Sequence, residues 1–170
     1  MLSQQICWGL ANLSISHTEE PSAQGVSTSE CYYGYSTTID QFDSLNISDK
    51  MKRSYGIKAM LHSIIPRSLI VQSSQWSLRV ELWDSYSLKQ LPVQIDNAVL
   101  EKLSGYSGEK MSLMFSAAKT NRRVMADIAK IISALYKKIV VLHGFMKIET
   151  TLDSELQPSF HVIEFVAAEC

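Results

Sequence analysis

From Trp76 to Trp83 the chain reads Trp-Ser-Leu-Arg-Val-Glu-Leu-Trp, with Trp76, Leu78, Val80 and Leu82 in strict alternation with Ser77, Arg79, Glu81 and Trp83. A helix would scatter those apolar positions around its axis, whereas a strand sets them all on one face. The pattern therefore excludes an all-helical chain and calls for a sheet with one side against a core.

Weaker strand signals flank it. Ser68 to Gln72, Leu91 to Ile95, Val140 to Thr150 and Phe160 to Val166 are strand-like, the last two joined by the turn-rich Asp153 to Ser159. Ile6 to Ser16 reads as a strand with a phase slip near Gly9 to Asn12, or as two short strands.

Helical spacing appears elsewhere. Thr38 to Leu45 predicts a helical turn. Ser48-Asp49 is expected to cap a helix running to Ile65, stopped by Pro66, with Met51, Tyr55, Leu61 and Ile65 on one face. Asp96 is expected to cap a short helix ending near Gly105. A further helix starts near Gly108, breaks at Lys119-Thr120-Asn121, and resumes with Val124, Ile128, Ile131, Ile132, Leu135 and Ile139 at helical spacing.

The stretch from about 17 to 36 is rich in Ser, Thr, Glu and Gly and reads as a flexible polar loop ending in Tyr32, Tyr33 and Tyr35. No repeat or linker divides the chain. The expectation is a single α+β domain over 1–170, an antiparallel sheet packed against two to four helices.

Composition limits what such a domain can do. The chain is 46% apolar and 19% charged with only 7 Gly and 4 Pro, which excludes disorder as its dominant character. Its 16 basic and 17 acidic side chains leave a formal charge of -1, so any contact with nucleic acid or anionic lipid must rest on local patches. The three cysteines, Cys7, Cys31 and Cys170, are odd in number and lack C-x-x-C spacing, so free thiols in a reducing compartment are expected. Neither a secretory leader nor an apolar run of the roughly 18 residues needed to span a bilayer is legible, so the chain is expected to be soluble or peripheral.

Chemistry-bearing motifs are scarce. His17, His62, His143 and His161 lie far apart without metal-ligand spacing; His62, on the expected helix, and His161 read as satisfied, partly buried side chains. No nucleophile elbow, metalloprotease helix or dinucleotide loop is present, and no signature places a thiol where its thiolate would be stabilised. No catalytic residue, metal or cofactor is assigned, and the chain is expected not to be an enzyme. Gly105-Tyr106-Ser107-Gly108 has the G-x-x-G form with which one class of RNA-binding module grips a backbone. Its central pair is not basic, and a helix C-cap followed by a helix start accounts for it as well.

The basic residues form two groups. Lys50, Lys52, Arg53 and Lys58 fall on the first expected helix, and Lys119, Arg122, Arg123, Lys130, Lys137 and Lys138 on or beside the long later one. With few carboxylates among them, both suit salt-sensitive contact with a phosphate backbone or an anionic leaflet. Trp83, Tyr86 and the cluster Tyr32, Tyr33 and Tyr35 are the candidates for a partner surface.

Taken in order, Leu78-Arg79-Val80-Glu81-Leu82-Trp83, Asp84-Ser85-Tyr86-Ser87-Leu88, Pro92-Val93-Gln94-Ile95-Asp96 and Lys110-Met111-Ser112-Leu113-Met114-Phe115-Ser116-Ala117 resemble the matrix proteins of rhabdoviruses, in the short form found in plant-infecting members. The chain lacks the basic tail and proline-rich budding motif of the animal-virus members. The resemblance implies a non-enzymatic virion protein of a negative-strand RNA virus that self-associates and condenses the viral nucleoprotein-RNA complex. It further implies contact with the anionic inner leaflet of the envelope and with a viral glycoprotein tail, and residence in the virion, the host cytoplasm and the cytoplasmic face of membranes. On this reading the two basic groups meet nucleoprotein, RNA or lipid, and the tyrosines with Trp83 serve self-association. The alternative is a small RNA-binding module gripping the phosphate backbone through Gly105 to Gly108.

Overall fold

The computed structural model describes residues 35–168. In chain order they form β1 (Tyr35–Thr37), α1 (Ile39–Ser44), α2 (Ile47–Lys52), β2 (Tyr55–Ile64), β3 (Ile70–Gln72), β4 (Gln75–Trp83), β5 (Leu91–Ile95), α3 (Asn97–Ser104), α4 (Gly108–Ala118), α5 (Arg122–Ile139), β6 (His143–Leu152) and β7 (Pro158–Ala167). The fold is α+β. The expected strand from Ile6 to Ser16 and most of the loop from 17 to 36 lie outside the described residues. Tyr35 and Ser36, placed in that loop from sequence, belong to β1.

The helix expected from Asp49 to Ile65 is the main correction. Helix α2 stops at Lys52, and from Tyr55 the chain is a strand with Tyr55, Ile57 and Ala59 buried in alternation. Gly56 is a poor helix residue, and the backbone groups of β2 are satisfied by strands on both sides. Asn46, not Ser48, caps α2, its side-chain oxygen accepting the Asp49 N–H at 2.8 Å.

The strands close into a ring. β2 pairs antiparallel with β6, β6 antiparallel with β7, β7 parallel with β5, β5 antiparallel with β4, and β4 antiparallel with β2 again. Closure removes the exposed edges that an open sheet would present. β1 extends the ring beside the start of β2 in parallel, and β3 folds back on β4 as a hairpin. The sheet is thus mixed rather than purely antiparallel, and five helices accompany it among the described residues rather than two to four.

Inside the ring sit Ile57 and Ala59 of β2, Leu78, Val80 and Leu82 of β4, Leu91, Val93 and Ile95 of β5, Met146 and Ile148 of β6, and Val162 of β7. Each fully buried aliphatic side chain of this kind is worth about 1.5–3 kcal/mol relative to exposure. Helices α3 to α5 bridge β5 to β6 and add Leu100, Met111, Ile128, Leu135 and Ile139 to the same core. Asn121 caps α5 by accepting the Arg123 N–H at 3.0 Å, so the break read at Lys119 to Asn121 is a true helix boundary.

Two features fix the ground beside β4. The β3–β4 turn places Ser73 at φ 52° and Ser74 at φ 62°, the double left-handed geometry of a tight hairpin turn. Gly108 packs against that turn so closely that a Cβ on it would stand 2.5 Å from the Ser74 carbonyl oxygen and 2.7 Å from Gln75 Cα.

Candidate functional site

The alternation that buries Trp76, Leu78, Val80 and Leu82 turns Ser77, Arg79, Glu81 and Trp83 to the outer face of the ring. On β5, Pro92 and Gln94 face the same way, opposite Glu81 and Arg79 in register. The row continues through His161 of β7, opposite Gln94, to Glu149 of β6, opposite His161. Trp83 is 37% exposed at one end of this row, and the loop after it presents Tyr86 at 61% and Leu88 at 99%.

That loop is held in place while its apolar side chains stand in water. The buried Asp84 carboxylate accepts the N–H groups of Tyr86 at 2.9 Å and Ser87 at 2.6 Å. Ser87 Oγ accepts the Asp40 N–H at 2.9 Å, and Lys89 Nζ lies 2.7 Å from Asp43 Oδ2. The Lys89 hydrogen bond holds the Asp43 carboxyl below its ordinary pKa, and Asp43 in turn raises that of Lys89. Ordering of this kind lowers the entropy lost when a partner lands.

Toward the other end of the row lies a polar centre. His161 Nδ1 sits 2.9 and 3.1 Å from the two Asp96 carboxylate oxygens, and His161 Nε2 sits 3.0 Å from Thr151 Oγ1. Gln94 Nε2 donates to Asp96 Oδ1 at 3.0 Å. Asp96 precedes α3 as expected, but its side chain makes no capping bond and turns to His161 instead. An open cavity of about 560 Å³ lies beside these residues, between the β3–β4 hairpin, β5 and the start of α3.

The structure divides the residues singled out from sequence. Lys50 does not belong to a contact surface: it is 5% exposed, donates from Nζ to the Asp43 carbonyl at 3.0 Å, and lies over the rings of Phe42 and Phe160. Lys52 pairs with Asp49 at 2.6 Å, and Arg53 lies 3.9 Å from the centre of the Tyr35 ring. Lys58 is on β2, half-buried 5.8 Å from the Phe145 ring centre, where burial lowers its pKa. The first basic group is therefore spread over a short helix, a connection and a strand, and presents no common face.

The second group is better gathered. Arg122, Arg123, Lys130, Lys137 and Lys138 are all exposed on α5, with Lys119 exposed just before it. Lys130 lies 3.9 Å from Asp127, and Lys138 Nζ donates to the Leu103 carbonyl at 2.8 Å. Helix α5 packs on α3 and α4. Of the aromatic candidates, Trp83 joins the outer face, Tyr35 is under Arg53, and Tyr32 and Tyr33 lie outside the described residues. His62 is exposed on β2 and not on a helix, while His161 is partly buried and bonded on both nitrogens.

Gly105 to Gly108 is a joint between helices. Gly105 closes α3 at φ 77°, and Ser107 caps α4 by accepting the Lys110 N–H at 3.1 Å. The Gly108 N–H donates to Glu101 Oε1 at 3.0 Å, so a carboxylate already stands where a phosphate would have to bind. The grip expected of a G-x-x-G loop is not available here.

What sequence reasoning missed is the set Arg79, Gln94, Asp96 and His161. Arg79 was visible as an outward strand position, but its neighbours arrive from β5 and β7 and carry no local motif.

No protein-family model matches the chain, and no curated protein matches it. Among solved structures it is similar to a replication protein A heterotrimer bound to single-stranded DNA, at 10% identity and a TM-score of 0.50, over 99% of this chain and 44% of that one. A second similar structure is yeast RPA bound to single-stranded DNA, at 12% identity and a TM-score of 0.47, over 79% of this chain and 88% of that one. The present chain thus spans less than half the length of the first. That first likeness bears on the fold, and the ring order β2-β4-β5-β7-β6, with helices between β5 and β6, agrees with it: this is the five-stranded Greek-key barrel of the OB-fold.

Proposed function

We propose that the chain is a single-stranded nucleic-acid-binding module that takes the strand across the outer face of β4 and β5. The observation that carries this reading is the row of Trp83, Arg79 and Gln94 on that face, flanked by the ordered loop that holds Tyr86 in water. In barrels of this connectivity, that face, with the loops joining the first strand to the second and the fourth to the fifth, binds oligonucleotides or oligosaccharides. Exposed aromatic rings give every base a surface to stack on, and a guanidinium beside them meets the backbone. The similar replication protein A structure is bound to single-stranded DNA, which supports the choice of ligand.

Chemistry at the site is binding chemistry. A chain of net charge -1 binds through this local row and not through its overall field, so affinity falls with salt along a shallow slope, reflecting few phosphate contacts. Fluorescence anisotropy with labelled single-stranded DNA and RNA of about 12 nucleotides, within the usual site size of such barrels, tests the reading directly. Binding to one or both that weakens with salt is expected, and no binding at low salt to either would overturn it.

A second reading follows the resemblance to matrix proteins, in which the chain self-associates and bridges nucleoprotein to an anionic leaflet. The exposed cations of α5 favour it as a contact for such partners. Sedimentation at falling salt separates the two: concentration-dependent polymers without nucleic acid favour the matrix role, and a strict monomer that binds oligonucleotides removes it.

A further inference from the structure

We infer that the cavity between the β3–β4 hairpin, β5 and α3 is a base-reading pocket that selects guanine, an inference that rests on the nucleic-acid reading above. The cavity, of about 560 Å³, adjoins the outer face directly, since Ser77, Gln94 and His161 belong to both. Arg79, opposite Gln94 in register, stands at its edge. A strand crossing the face thus has a charge for its backbone and, beside it, a recess for one base.

The lining decides what fits. Among the described residues no Lys or Arg lines the cavity, so it is not built for phosphate. Its polar side chains are the amides of Gln72, Gln75, Gln94 and Asn97, the Asp96 carboxylate, the Ser77 hydroxyl and the His161 imidazole, which suit a planar ligand rich in hydrogen bonds. Ile70, 52% exposed on the hairpin, supplies an apolar wall for a ring face.

Its acceptors are fixed before any ligand arrives. Gln94 Nε2 donates to Asp96 Oδ1, and the Gln94 carbonyl oxygen accepts no hydrogen bond among the described residues. His161 Nδ1 lies 2.9 and 3.1 Å from the two Asp96 carboxylate oxygens, and Oδ2 keeps lone-pair capacity. Two acceptors on neighbouring side chains call for a ligand with two adjacent N–H donors. Guanine offers that pair on its Watson–Crick edge, at N1 and the exocyclic N2, whereas adenine, cytosine and thymine or uracil each offer a single donor position there. The side chains of Gln72 and Gln75 make no hydrogen bond among the described residues, and an amide N–H from either can meet guanine O6.

Oligothymidylates carrying one central guanine, inosine or adenine test this in the intact chain. Inosine differs from guanine only in lacking the exocyclic amine, so it removes one of the two donors. A bidentate contact gives about tenfold or more in affinity, and that preference for guanine over inosine is expected. Asp96→Asn should abolish the preference for guanine over inosine, and its thermal melt followed by circular dichroism reports that the variant is folded. Gln94→Ala should lose the preference as well, and should also weaken the hold on every strand because Gln94 stands in the strand-bearing row.

Equal binding of the guanine, inosine and adenine strands overturns the pocket and leaves the strand-binding reading standing. No binding of any strand overturns both. Guanosine monophosphate, tested against adenosine monophosphate, separates a free nucleotide from a base within a strand: tight and selective uptake of it, with no strand bound, overturns the inference as stated.

Discussion

Asp84 Oδ2 accepts the backbone N–H of Ile39 at 2.7 Å, joining positions 45 apart in the chain. Ile39 opens α1, and its amide is one that the helix itself cannot satisfy. The next two amides are met as well, that of Asp40 by Ser87 Oγ and that of Gln41 by Thr38 Oγ1. The same buried carboxylate orders Tyr86 and Ser87, so one side chain fixes both the helix entry and the exposed aromatic loop. Asp84→Ala leaves three amide donors without their acceptor, at a cost of about 2–4 kcal/mol. Asp84→Asn keeps one acceptor oxygen and should cost about half as much. Urea titration followed by circular dichroism orders the three proteins; equal midpoints for wild type and alanine variant would show the bonds to be idle.

Gly108 and Gly105 are both conspicuous in sequence, for different physical reasons. A Cβ at Gly108 meets Asn97 Oδ1 at 2.4 Å and the backbone of Ser74 and Gln75 at 2.5 and 2.7 Å. Backbone cannot step aside as a flexible side-chain end can, so Gly108→Ala should cost about 3 kcal/mol through overpacking. At Gly105 nothing lies within 4 Å, and only φ 77° resists a side chain. Gly105→Ala should cost about 1 kcal/mol. Thermal melts of both variants, with Gly108→Ala falling well below Gly105→Ala, check the distinction.

How much of this was readable in the residues differs by element. Strand β4 was plain because its alternation is local and one face is buried, and α4 and α5 were plain because a turn of polar residues separates two helical patterns. Strand β2 was misread as helix because Met51, Tyr55, Leu61 and Ile65 fall near helical spacing, while the force that makes it a strand comes from pairing with β6 and β4. That force is nonlocal and leaves no mark in a window of sequence. Lys50 was misjudged for the same reason, since the rings of Phe42 and Phe160 reach it only in the folded chain. Gln94, Asp96 and His161 were each visible, but their meeting needs the parallel pairing of β5 with β7, which no spacing announces.

Acid stability should carry a mark of the Lys89–Asp43 pair. The hydrogen bond from Lys89 lowers the Asp43 pKa below its usual 3.8, so the unfolded chain binds the proton more readily than the folded one. Stability from this group is therefore present above the ordinary carboxylate pKa and lost as pH falls through the lowered one. Lys89 is raised above 10.5, so its share is present below that value and lost in strong alkali. Lys89→Met should flatten the fall in melting temperature between about pH 4 and 2, while leaving the shape of the curve from pH 5 to 8 unchanged. An identical acid limb in both proteins would show that the pair does not survive in solution.

The outer face and α5 make opposite predictions for nucleic-acid binding. If the strand crosses β4 and β5, Trp83→Ala removes a stacking surface worth about 1–3 kcal/mol, or roughly five- to a hundredfold in affinity. Arg79→Gln should weaken binding evenly across sequences and reduce the salt slope by about one ion. The exposed pair Arg122 and Arg123 begins α5, which packs on α3 and α4, and screening at 0.15 M acts over about 8 Å. Neutralising both to Gln at that ionic strength should therefore leave affinity for a short single strand within about twofold of wild type. The measurement is anisotropy across a salt series for the three variants. A loss confined to the α5 variant would move the binding surface to the helical layer, and with it the chain's main partner contact.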